Sequence, residues 1–242
     1  MRTLLSLCAA LCWTLLLASP ARSADPAPLT VTVYGDSLGD GVWEGLYVLL
    51  RSDKQTRVLR RSQLGAGLTR GDFAAWLKSL EGELDKTPPD VAVFMVGAND
   101  QQGVRDENRI GYVFASEGWQ QVYAARVEAV MTEFASRHVP TVWLGLPVMR
   151  KAEYNRGARV LDAIFEAAAE REHVTFIPLA DDFTDAAGNF VVYMHDAEKR
   201  NRQVRAEDGI HFTLYGYELI AEKVWAKIQQ QREAARASAA NP

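Results

Sequence analysis

Val31-Thr32-Val33-Tyr34-Gly35-Asp36-Ser37-Leu38-Gly39-Asp40-Gly41 is the stretch on which the reading of the chain turns. A β-branched run of strand character stops at a glycine, and an apolar helical pattern runs from Gly41 to Arg51. Strand, tight turn and helix in that order open a parallel β-α-β unit. Gly35 permits the tight backbone path, and the helix points its free N–H groups back at the turn. Ser37 then has two readings. It is a nucleophile held at the end of a strand, or it caps the helix from Gly39 onward, which serine does well. Asp36 reads as a structural carboxylate of the turn.

Working outward, the pattern repeats. Strand-like runs at Thr30–Tyr34, Thr56–Arg61, Val91–Met95, Thr141–Leu144 and Val174–Pro178 alternate with helical patterns. The helical patterns follow at Gly41–Arg51, Phe73–Leu84, Trp119–Arg137, Glu153–Arg171 and Tyr215–Gln231. Short, near-continuous apolar strands separated by helices predict a parallel sheet covered on both faces, a doubly wound α/β sandwich. Ligands in such sheets bind beyond the carboxyl ends of the strands. Ser37 follows the first strand and Asn99 the third, so both are expected on that edge. Two segments, 101–118 and 181–208, break the alternation. Loops of that length in a compact domain shape a site or move, so both are expected to border the chemistry.

The amino end reads as a secretory leader. Arg2 precedes an apolar stretch from Thr3 to Ala18, and Ala21-Arg22-Ser23 is a small-x-small cleavage site. Residues 1–23 are expected to be removed, leaving one domain over residues 24–230 and a disordered tail over 231–242. The apolar stretch is short for a membrane span, so the expected location is periplasmic or secreted, with no stable span after cleavage. Cys8 and Cys12 both fall in the leader, so the mature chain is left without disulfide, thiolate metal site or cysteine nucleophile. Cleavage also removes Arg2 and Arg22 and no acid, taking the formal charge from −4 to −6. An acidic chain argues against nucleic acid as a partner.

Near the other end lies Asp208-Gly209-Ile210-His211-Phe212. A serine hydroxyl needs a base, and the base an orienting acid. A single turn brings Asp208 to His211 Nδ1 and leaves Nε2 to face a serine; the bland reading is a helix-capping Asp beside an incidental His. Among the other histidines, His138 and His173 read as helix ends, and His195 is a weaker candidate base. Val96-Gly97-Ala98-Asn99-Asp100 places an amide where it can donate to an oxyanion, or where it merely forms a turn. Gly65-Ala66-Gly67 brings a backbone N–H to the same edge or forms an ordinary loop. No His and carboxylate spacing suggests a metal. Trp43, Tyr112 and Trp119 are candidates to stack on sugar rings, or are core. Lys199, Arg200, Arg202 and Arg205 either meet an anionic substrate or form a solvated face.

Taken together, Gly35-Asp36-Ser37-Leu38, a loop Gly67, Gly97-Ala98-Asn99-Asp100 and Asp208-Gly209-Ile210-His211 stand in the order of the four sequence blocks of the SGNH, or GDSL-type, hydrolase superfamily, which the chain resembles over nearly all of its mature length. It looks most like a secreted bacterial branch classed as a domain of unknown function. The features that suggest it are Gly67-Leu68-Thr69-Arg70, Trp119 with Tyr123 and Arg126-Val127, Trp143 to Pro147, and Asp208 to Thr213. The resemblance implies a three-layer α/β/α sandwich on a five-stranded, flavodoxin-like sheet and no cofactor. It implies Ser37 as nucleophile, His211 as base and Asp208 as its orienting acid. The implied oxyanion hole is the N–H of Ser37, the N–H of Gly67 and the Asn99 amide, with Gly65 competing for Gly67's role. The expected activity is hydrolysis of O-acyl esters, with acetyl esters of envelope or exported glycans as the expected substrates. Its rivals are acyl transfer by the same residues and, from another class, a catalytically silent glycan-binding module.

Overall fold

The computed structural model describes residues 27–240. The expected leader, residues 1–23, lies outside them. The chain runs β1 (Leu29–Gly35), α1 (Ser37–Leu50), β2 (Thr56–Arg60), α2 (Phe73–Lys86), β3 (Val91–Met95), β4 (Val104–Arg105), β5 (Gly111–Tyr112), α3 (Glu117–Ala135), β6 (Thr141–Leu144), α4 (Ala152–Arg171), β7 (Thr175–Ile177), β8 (Tyr193–His195), β9 (Asn201–Gln203) and α5 (Leu214–Ala240).

Five strands form one parallel sheet in the order β2-β1-β3-β6-β7. This is the flavodoxin-like doubly wound order, with its topological switch point between β1 and β3. α1 packs on α5, while α2, α3 and α4 pack in succession as the other layer. The three-layer sandwich implied by the resemblance is therefore the observed architecture. All of β3 and β6 is buried, as the unbroken apolar runs require in a sheet covered on both faces. Register aligns Tyr34 with Phe94, Phe94 with Trp143 and Trp143 with Phe176 across four strands. Phe94 stacks on Trp143 at 4.4 Å, and Phe134 of α3 meets Tyr34 edge-on at 5.3 Å. Each such pair contributes about 0.5–1.5 kcal/mol beyond its buried area.

Two element boundaries differ from the sequence reading by more than two residues. α1 begins at Ser37, not Gly41, because Asp36 is the cap: its Oδ1 accepts the Leu38 N–H at 2.8 Å. Ser37 is thereby the first helical residue and does not cap the helix. α5 runs on to Ala240, so helical backbone continues past the expected domain end at residue 230. Each of the two irregular segments carries an antiparallel pair, β4 with β5 and β8 with β9. Among the described residues, no helix is long and apolar enough to cross a membrane.

Candidate active site

β1 delivers the chain to the carboxyl edge of the sheet through a turn that only glycine can make. Gly35 has φ +130°, and a Cβ there would lie 1.7 Å from the Met95 carbonyl oxygen of β3. Asp36 then fixes the turn to the next strand's turn. Its Oδ2 accepts from the Gly97 and Ala98 N–H groups at 3.0 and 3.1 Å, while Oδ1 caps α1. Burial pushes the Asp36 carboxyl up to about 6 against the pull of these three donors. The structural role read for Asp36 is thus visible atom by atom, and it places Ser37 at the first turn of α1.

The structure brings Ser37, His211 and Asp208 into one line. Ser37 Oγ lies 2.7 Å from His211 Nε2, and His211 Nδ1 lies 2.7 Å from Asp208 Oδ2. Asp208 Oδ1 also accepts the backbone N–H groups of Ile210 and His211 at 2.8 and 2.9 Å, so the four residues form one tight turn. Burial works against the Asp208 charge, but the donors from Ile210 and His211 hold its carboxyl below the usual range. An ionised carboxylate only accepts, so in the neutral ring the proton sits on Nδ1 and Nε2 is free to accept from the serine. The His211 side chain is 34% exposed, which leaves the ring open to solvent.

The loop after β2 and the loop after β3 are tied to each other beside Ser37. Asn99 donates one amide N–H to the Ala66 carbonyl at 2.9 Å and keeps a second for a ligand. Asp100 is fully buried and holds the same loop from below. It accepts the Leu68 and Thr69 N–H groups, each at 3.0 Å, the Thr69 hydroxyl at 2.8 Å and the Tyr123 hydroxyl at 2.7 Å. Gly67 packs against it so closely that a Cβ would sit 2.3 Å from Asp100 Oδ1. Gly65 differs: it is a turn residue at φ +73° with open space around it. Arg126 completes the frame by donating to the carbonyls of Leu68, Arg70 and Arg105.

The other side chains singled out in the sequence divide between the readings given for them. Trp119 is fully buried, donates to the Gln102 carbonyl and stacks on Tyr123, so it is no sugar platform. Trp43 stacks on Tyr47 along α1 and lies under Arg60 of β2, and Tyr112 donates to Asp106 at 3.3 Å. His138 and His173 follow the ends of α3 and α4 at φ 56° each, and His195 pairs across the β8–β9 hairpin. The basic run is not one patch. Arg200 is bonded to Asp196 and Glu198, Arg202 lies over the Tyr215 ring, and Lys199 forms the hairpin turn at φ 61°. Arg205 is wholly buried, because the chain folds its guanidinium inward onto backbone carbonyls. Asp100 and Arg205 are the two residues whose place the sequence reading missed. An Asp after Asn at a strand end, and an Arg among other cations, carry no local mark of burial. Among the described residues no group of three or more His, Cys, Asp or Glu is placed to hold a metal ion.

Residues 30–227 match the model of a family described as protein of unknown function DUF459. No curated protein sequence matches the chain. Solved structures do. An acetyl xylan esterase, AlAXEase, shares 19% identity over 83% of this chain and 100% of its own, with a TM-score of 0.59. A GDSL-like lipase from Bacteroides thetaiotaomicron VPI-5482 shares 13% identity over 84% of this chain and 88% of its own, at 0.59. A putative acylhydrolase from Bacteroides fragilis NCTC 9343 shares 14% over 85% and 91%, at 0.58. At these identities the likeness is one of fold.

Proposed function

The chain belongs to the DUF459 family, and from that premise we propose that it is a serine-dependent ester hydrolase working through a Ser37 acyl-enzyme. The observation that carries the reading is the unbroken line from Ser37 Oγ through the His211 ring to Asp208, with 2.7 Å at each step. His211 Nε2 takes the Ser37 proton as Oγ attacks the ester carbonyl, and Asp208 keeps the ring oriented and balances the imidazolium. Negative charge develops on the former carbonyl oxygen. The Ser37 N–H, the Gly67 N–H and the second Asn99 amide N–H receive it. His211 then protonates the leaving alcohol, and a water activated by the same ring releases the acid.

The substrate is an O-acyl ester, most naturally an acetyl ester of an envelope or exported glycan. The leader read over residues 1–23 would deliver the enzyme to such polymers, and an acetyl xylan esterase shares the fold. The domain so delivered works in the periplasm or outside the cell, with α5 carrying it past residue 230 to Ala240. The chemistry needs no cofactor, no metal and no nucleic acid.

A fluorophosphonate probe tests the nucleophile. Labelling of the wild-type chain at Ser37, lost in Ser37→Ala, is the expected result, while an unlabelled wild-type chain returns the fold to a glycan-binding module. Incubation with acylated glycans, followed by mass spectrometry of free acid and acylated acceptor, separates hydrolysis from transfer. Free acid in step with ester loss supports the hydrolase, and acylated acceptor without free acid supports an acyltransferase.

A further inference from the structure

We propose that Arg205 is a positioning residue for the catalytic base. It stands in the last stretch before the Asp208–His211 turn, and its guanidinium reaches back under that turn. Nη2 donates to the Ile210 carbonyl at 2.9 Å, Nε to the His211 carbonyl at 3.3 Å and Nη1 to the Val148 carbonyl at 2.8 Å. One planar cation thus ties the backbone on which His211 is mounted to the loop that follows β6. Its Cζ lies over two rings, 4.7 Å from the centre of Phe190 and 4.3 Å from that of Phe212. Phe212 is the residue after His211, and Arg205 also pairs with it as an isolated antiparallel bridge. The base is therefore gripped along its own backbone and at its neighbouring ring.

The electrostatics point the same way. A wholly buried cation is costly unless carbonyls or carboxylates surround it. No acidic side chain forms an ion pair with Arg205 within 4 Å among the described residues; three carbonyl oxygens and two ring faces do the work. Burial pulls the guanidinium down to about 10, which still leaves it charged at neutral pH. A structure that needed only packing here would be served by an apolar side chain of the same volume. What the guanidinium adds is direction: its donors diverge in a fixed plane toward three separate carbonyls, a pattern that the point charge of lysine cannot reproduce. Three further hydrogen bonds, from Arg150 and Ala206, reinforce the same frame. The Arg150 N–H donates to the Gly209 carbonyl, Arg150 Nη1 to the Glu207 carbonyl, and the Ala206 N–H to the His211 carbonyl. The His211 ring must keep 2.7 Å contacts on both of its nitrogens at once, and a shift of about 1 Å in such a frame costs on the order of 10²-fold in rate.

The proposal rests on the serine-hydrolase reading, and the test separates the two. The assay is steady-state hydrolysis of an aryl acetate by the full chain, with folding checked by circular dichroism, for Arg205→Lys and Arg205→Met. Folded variants should lose on the order of 10²-fold in kcat with KM within about twofold. Adding either change to His211→Ala should leave the residual rate where His211→Ala alone puts it, because Arg205 acts through that ring. Millimolar guanidinium should restore part of kcat to Arg205→Ala, and sodium chloride at the same concentration should not. A wild-type kcat in a folded Arg205→Met, or a further fall when the change is added to His211→Ala, overturns the proposal. So does the loss of folding in both Lys and Met variants, which would make the arginine a support of the domain and not of the base. Persistence of turnover in Ser37→Ala sinks the hydrolase reading itself, whatever Arg205 does.

Discussion

Changing Gly67 to alanine tests the oxyanion loop at its tightest point. The new Cβ would lie 2.3 Å from Asp100 Oδ1 and 3.1 Å from its Cγ. About 1 Å of movement is needed to clear the oxygen, and Asp100 cannot supply it cheaply. Its carboxylate accepts from Leu68, twice from Thr69 and from the Tyr123 hydroxyl, and each bond to a charged acceptor is worth about 1.5–3 kcal/mol. The loop should move instead and carry the Gly67 N–H away from the reacting oxygen. Loss of one oxyanion donor costs about 10²–10³ in kcat, or about 2.7–4 kcal/mol of transition-state stabilisation. Gly65→Ala is the partner experiment. Its φ of +73° makes an alanine strained by about 1–2 kcal/mol, but nothing lies within 4 Å of the added carbon. Urea unfolding should therefore show a modest loss of stability for Gly65→Ala, while kcat on an aryl acetate stays near wild type. Gly67→Ala should show the converse in kcat, with KM little changed. If kcat falls in Gly65→Ala and holds in Gly67→Ala, the donor has been placed on the wrong glycine. If it holds in both, this loop gives the transition state nothing.

The architecture was legible because two periodicities do not overlap. Val91–Met95 and Thr141–Leu144 are apolar without alternation, which only a strand covered on both faces tolerates, and their bounds match the sequence reading residue for residue. The start of α1 was not legible, since aspartate and serine both cap helices well and adjacent residues offered both choices. Which of the two caps is decided by tertiary partners: Gly97 and Ala98 supply donors that draw Asp36 into the turn. The same reason hid Asp100 and Arg205. The Asp100 charge is buried by donors from Leu68, Thr69 and Tyr123, and the Arg205 charge by the distant Val148 carbonyl as well as by the nearby carbonyls of Ile210 and His211, and no local pattern announces these sets. Asp208 and His211 were legible because the partner of each is three residues off, within one turn. In the basic run from 199 to 205 the solvated-face reading fits the exposed Lys199 and Arg200, and the buried Arg205 departs from it. Arg200 closes on Asp196 and Glu198, Arg202 lies over Tyr215, and Arg205 turns inward to carbonyls of the fold, so cations adjacent in sequence have different partners in space.

The remaining predictions concern the line of chemistry and the turn that holds it. Ser37→Ala and His211→Ala should each lower kcat on an aryl acetate by up to about 10⁶, and the double variant should be hardly worse than either, because the pair acts as a unit; substantial turnover in purified Ser37→Ala refutes the nucleophile. Asn99→Ala should cost about 10²–10³ in kcat with KM nearly unchanged, and a change confined to KM would make Asn99 a substrate contact. Asp36→Asn should leave a folded but weakened chain, because an amide brings its own N–H against one of the three backbone donors that the carboxylate now satisfies. Asp36 also sets a pH dependence with an unusual sign. Its carboxyl rises from 3.8 in the open chain to about 6 in the fold, so between those values the folded state binds the extra proton. That contribution is fully present below about pH 4 and is lost as pH rises through 6. At about 1.36 kcal/mol per pH unit it amounts to about 3 kcal/mol across the window. Urea unfolding measured from pH 4 to 7 should show this downward component in the wild type and not in Asp36→Asn. Parallel stability curves for the two chains would mean that the turn holds Asp36 at its ordinary pKa, and that its three backbone donors offset the whole cost of burying the charge.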